Sequence, residues 1–156
     1  METKRNITIS DIYPIIEKTL CESGHVQLTV QGKSMTPTLK DGETVVSLIS
    51  VEKADNLALG DIILFQRQNG KYVLHRIVGR NDKTWIICGD SQIQYEYISD
   101  DLMIKAVVEG YYRNNHLINR SSFLFKLDFI VVKIIRFYKK AINYIKRRFA
   151  LKKQDK

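Results

Sequence analysis

Apolar residues recur along this chain with two periods, helical at both ends and alternating between them. Ile9, Ile12, Tyr13, Ile15, Ile16, Thr19 and Leu20 fall at helical spacing within residues 8–22. Ser10 or Asp11 stands where a cap is needed and Pro14 near the first turn, so a short helix is predicted there. From His25 the pattern changes to alternation through Val26–Val30, which reads as a strand. Further strands are predicted over 43–49, 60–65, 71–78, 84–88 and 103–112, with polar connections over 52–59 and 90–101. The turn dipeptides Asp41-Gly42, Gly60-Asp61, Asn69-Gly70, Asn81-Asp82 and Gly89-Asp90 punctuate them. Asn69-Gly70 is the strongest hairpin signal. Short strands so closely spaced argue for a mainly β fold, an antiparallel sheet or partial barrel, and against alternating βαβ units.

The helical period returns near residue 122. On a wheel of about 100° per residue, Leu127, Ile130, Val131, Ile134, Ile135, Phe137, Tyr138, Ala141, Ile142, Tyr144, Ile145 and Phe149 share one half. Lys133, Arg136, Lys139, Lys140, Asn143, Lys146 and Arg147 take the other. Phe129 and Val132 break the pattern by adding apolar residues to the polar side, and Phe123–Ile135 is apolar nearly all round. A long amphipathic helix over 122–150 is predicted, of a kind that lies in a membrane surface or is partly inserted. The chain thus divides into an N-terminal helical segment (1–25), a β domain (26–119) and a basic helical arm (120–156).

Charge sharpens that division. The net charge is +8, yet residues 1–119 carry 13 Lys/Arg against 15 Asp/Glu, while 120–156 carry 12 against 2. An anionic partner is therefore expected at the arm. Nucleic acid is not expected there, because so much Ile, Phe and Val would face water. With 44% apolar residues, 156 residues suffice for a real core. Cys21 and Cys88 are far apart and lack metal-ligand spacing, so both read as free thiols and no metal site is predicted. Met1–Arg5 leads into no apolar signal-peptide core, and no run of about 18 apolar residues marks a spanning helix. Association with the cytoplasmic face of the membrane is expected from these features, by a monomer.

The candidate chemistry lies in Gly32–Ser47. Gly32 can take backbone angles closed to other residues, and Pro37 fixes its own φ and biases Thr36 toward an extended form. Ser34 is thereby held in a tight loop between two strands and becomes the candidate nucleophile. A serine needs a base, and His75 on the predicted strand Tyr72–Val78 supplies one. A carboxylate could orient the imidazole, with Asp90 first in line and Glu96 as the alternative.

The ordered set GKSMTPTLKDGE, GDIILF, YVLHRIV and ICGD, followed by an acidic loop and Ile104–Gly110, resembles the signal peptidase I and LexA-like serine peptidase superfamily over about residues 31–110. Histidine rather than lysine at the base position resembles its signalase branch. The resemblance implies the LexA/signal-peptidase-like antiparallel β fold and a serine endopeptidase without cofactor, with Ser34 as nucleophile and His75 as base. Backbone N–H groups over Gly32, Lys33 and Ser34 would stabilise the oxyanion, and Met35 and Pro37 would contact the substrate. That substrate would be a preprotein or peptide carrying a leader segment. The rival readings are a non-catalytic peptide-binding module of the same fold and a membrane-surface protein acting through its arm.

Overall fold

The computed structural model describes residues 9–154 apart from 55 and 100, with the side chains of 149–154 also outside the description. Thr8 at the start of the first predicted helix, the Met1–Arg5 segment and the wheel position of Phe149 therefore lie outside it. Helix α1 (Ile9–Ser23) buries Tyr13, Ile16 and Leu20, the 3–4 spacing of a one-sided apolar stripe. It stops at Gly24, whose φ of 77° suits glycine and whose N–H donates to the Leu20 carbonyl at 2.9 Å.

Eight antiparallel strands follow: β1 (His25–Thr29), β2 (Val45–Ile49), β3 (Ile62–Gln66), β4 (Tyr72–Asn81), β5 (Thr84–Cys88), β6 (Glu96–Ile98), β7 (Ile104–Arg113) and β8 (His116–Asn119). Their order across the sheet is β1-β2-β7-β3-β4-β5-β6, with β8 added to β7. The mainly antiparallel β fold expected from the spacing is the one observed. Strand β3 lies at its centre and is buried on both faces, which is why it reads Ile-Ile-Leu-Phe without alternation. Ile62 and Leu64 enter one core with Leu74, Val108 and the α1 residues. Ile63 and Phe65 enter another with Ile77, Trp85, Ile87 and Val107. Irregularities between Ser47 and Leu48, Leu64 and Phe65, and Ile77 and Gly79 bend the sheet between these two cores.

Two strands differ from the expectation. Residues 96–98 pair with β5 where a polar loop was predicted, Ile87 facing Glu96. Three residues between polar flanks are too few to show a period. Strand β8 folds back on β7 through Asn114-Asn115, at φ 51° and 63°. Positive φ at both central positions is the type I′ requirement, which asparagine tolerates better than most residues.

Helix α2 (Phe123–Gln154) docks on the sheet through Phe125, Phe129, Val132 and Arg136, all buried. Asp128 faces the Tyr111 hydroxyl and takes a 2.8 Å bond from Arg113 Nη2. Phe129 and Val132, out of place on the wheel, thus belong to the inward stripe. The broad apolar side that the wheel identified points away: Leu127, Ile130, Val131, Ile134, Phe137, Tyr138, Ile142, Tyr144 and Ile145 are exposed. Among the described residues, no helix is long and apolar enough to cross a membrane.

Candidate active site

The serine loop is built from its own backbone. It closes at the neck where Val30 N–H donates to Thr44 O and Gly42 N–H to Val30 O, each at 2.9 Å. Gly32 sits at φ 96°, with its N–H donating to Asp41 Oδ1 at 2.8 Å. That bond removes Gly32 from the expected oxyanion donors, because its amide is already committed to the carboxylate. Lys33 turns its side chain to solvent. The Ser34 side chain is half-buried, and the Thr36–Pro37 bond is cis. Met35 is 1% exposed and belongs to the core under the loop, so it offers no surface to a peptide. Pro37 does lie at the surface, lining a cavity of about 230 Å³ with Lys40, Glu43 and Tyr112.

Strand β4 delivers His75 and Arg76 to opposite faces of the sheet, as successive strand residues must be. His75 is fully buried, and its Nδ1 lies 2.8 Å from Glu96 Oε1. Neither ring nitrogen has a well-directed hydrogen-bond partner. Glu96 is held from the other side by Arg67, whose Nε and Nη2 donate to its two oxygens at 2.6 and 2.8 Å. Burial lowers the pKa of His75 below its usual 6.5, assisted by the Arg67 charge and opposed by Glu96. Burial works to raise Glu96, but the Arg67 hydrogen bond, His75 and the Arg67 charge hold it below the ordinary carboxylate range.

Asp90, the first-choice acid, is engaged elsewhere. Arg76 Nε and Nη2 donate to its two oxygens at 2.8 and 2.7 Å, both side chains being wholly buried. The same guanidinium donates to the Gly60 carbonyl at 2.8 Å and to Thr38 Oγ1 at 3.2 Å, and Phe125 and Phe129 pack near it. Arg76 therefore ties the serine loop, the Gly60 turn and the Gly89-Asp90 turn together under α2. The structure thus reverses the order of the two acids: Glu96 faces the imidazole and Asp90 faces the arginine.

Gly89 brings the serine loop to the histidine. A Cβ placed there would lie 2.6 Å from the Ser34 carbonyl oxygen and 3.0 Å from His75 Nε2. No side chain fits, and those two atoms converge on the same small space. Ser91 fastens the contact: its N–H and Oγ both donate to the Ser34 carbonyl, at 2.9 and 3.0 Å, and Oγ also reaches Lys33 O at 3.0 Å. Arg67 and Ser91 went unremarked in the sequence, and Arg76 and Gly89 were read only as parts of a motif and a turn. Only Gly89 carried a local signal, in the Gly-Asp turn.

The arrangement sets the serine loop, through the Ser34 carbonyl, beside a buried histidine whose Nδ1 meets a carboxylate. No protein in a search of curated sequences matches the chain. A family model described as Peptidase S24-like, however, matches residues 2–109, well over half of the molecule and all of the site up to β7. With the eight-stranded sheet, this supports the resemblance drawn from the motifs, and the chain belongs to the Peptidase S24-like family.

Proposed function

We propose that this protein is a serine endopeptidase that removes a leader or signal segment from an exported peptide, using Ser34, His75 and Glu96. The carrying observation is His75 itself: fully buried, Nδ1 against a carboxylate, Nε2 without a partner beside the serine loop. Orphaned buried nitrogens are costly and are kept where chemistry uses them. Ser34 Oγ would attack the scissile carbonyl while His75 Nε2 takes its proton and then passes it to the leaving amine. Water, deprotonated by the same nitrogen, would then cleave the acyl-serine and regenerate Oγ–H. Glu96 would hold the Nδ1–H tautomer and stabilise the imidazolium. Backbone N–H groups at and beside Ser34 would meet the oxyanion. These steps call on no metal or organic cofactor.

Strand β1 is an open sheet edge that runs into the serine loop, which suits an extended peptide added by main-chain pairing. The outward face of α2, apolar and rimmed by Lys133, Lys140 and Lys146, suits an anionic membrane surface, and would hold the enzyme where exported peptides gather. Replacing Ser34 by Ala and, separately, His75 by Ala is expected to abolish cleavage of a leader peptide, with the circular dichroism of the fold unchanged. Cleavage surviving in both variants would sink the reading. A non-catalytic binding module instead predicts that a serine-directed covalent inhibitor leaves wild type unlabelled.

A further inference from the structure

Buried cations are rare, and Arg136 is one: 5% exposed, on α2, beyond the span matched by the family model. Its Nε donates to the Gln92 carbonyl and its Nη2 to the Gly89 carbonyl, both at 3.2 Å. One turn along, Lys139 Nζ donates to the Ser91 carbonyl at 2.8 Å, and Lys140 Nζ reaches the Tyr95 hydroxyl at 2.7 Å. Three carbonyls of the Gly89–Gln92 turn are therefore held by one helix. The opposite side of the same turn carries the Ser91 donors to the Ser34 carbonyl, and Gly89, whose close approach to the Ser34 carbonyl and His75 Nε2 leaves no room for a side chain.

We propose that Arg136 is a positioning residue of the active site: through the Gly89–Gln92 turn and Ser91, helix α2 sets where Ser34 stands relative to His75. Two carbonyls from one turn satisfy two arms of a rigid guanidinium fork, which a lysine ammonium cannot span in the same way. Burial of that charge is tolerated because those carbonyls meet it. Without Arg136 the turn is backed by Lys139 alone, so its Ser91 bonds to Ser34 open more often and the serine loop and the histidine are no longer held at one spacing. The consequence for turnover rests on the peptidase reading, whereas the consequence for the turn does not.

Full-length wild type, Arg136→Ala and Arg136→Lys would be compared by amide hydrogen exchange and by kcat and KM on a leader peptide. In Arg136→Ala, exchange at Ser91 and Gln92 is expected to rise about tenfold or more, as loss of hydrogen bonds from a charged donor implies. Amides of β3 and β4 should be unchanged. kcat should fall about tenfold with KM nearly constant, and Arg136→Lys should recover part of both effects. Wild-type exchange and kcat in Arg136→Ala would overturn the proposal, as would a rise spread evenly over β3 and β4. Should Arg136→Ala fail to fold, the same local rise is required of Arg136→Lys, and its absence counts against the proposal. Wild type that neither cleaves nor takes a serine-directed inhibitor, while Arg136→Ala still loosens the turn, would remove the peptidase reading and leave the helix-to-turn coupling standing.

Discussion

At the scale of single residues, the imidazole of His75 decides the pH behaviour. Burial, aided by Arg67, pulls its pKa below 6.5 against the opposing pull of Glu96. A general base works only when neutral, so peptidase activity should persist as pH falls past 6.5 and disappear only through the lower native value. A pH profile of kcat/KM with its acid limb above 6.5 would contradict this. Stability has the same sign: between the native value and 6.5 the unfolded chain binds the proton that buried His75 refuses, so stability drops as pH falls through that window. Glu96→Gln should cut kcat by about 10²–10⁴-fold through loss of the correct tautomer, and should move the acid limb further down, with little change in Tm. Ser34 and His75 were legible in the sequence because a serine in a Gly- and Pro-bounded loop and a lone strand histidine are local features. Choosing between Asp90 and Glu96 was not. Both follow β5 within a few residues, and what separates them is which face of β4 each one meets.

At the scale of elements, Arg76 and Asp90 act as a fastening between turns that are distant in sequence. Their ion pair is wholly buried, so Asp90→Asn should cost about 3–5 kcal/mol, the usual penalty for stranding a buried charge. Urea unfolding would measure it. The folded fraction should keep most of its kcat, the reverse of the pattern expected for Glu96→Gln, and a catalytic collapse in Asp90→Asn without loss of stability would restore Asp90 as the acid. Strands and turns with strong local signals, such as the Asn69-Gly70 hairpin, were readable from pattern alone. Strand β6 was not, since its pairing with β5 supplies what its three residues lack. The Asn114-Asn115 dipeptide that turns β7 into β8 was a usable signal that the pattern reading passed over.

At the scale of the whole molecule, α2 presents two different faces. Its inward stripe holds the Gly89–Gln92 turn and covers Arg76, while its outward stripe is apolar and exposed, with basic rims. Charging that outer stripe by Ile134→Asp or Phe137→Asp should reduce sedimentation with phosphatidylserine vesicles about tenfold or more, the scale of one buried apolar side chain. Tm should hardly move, because both side chains already face solvent. Vesicle binding that is indifferent to these changes and to salt would remove the membrane reading. The antiparallel β class and the two flanking helices could be read from the chain alone, and Ser34 and His75 named as candidates, since periodicity, turn chemistry and short motifs are properties of neighbouring residues. The tertiary structure alone settles which carboxylate meets the imidazole, which side of α2 is covered, and that this helix bonds the Gly89–Gln92 turn. Those are contacts between residues far apart in the chain, chosen by strand register and packing, and no local pattern encodes them.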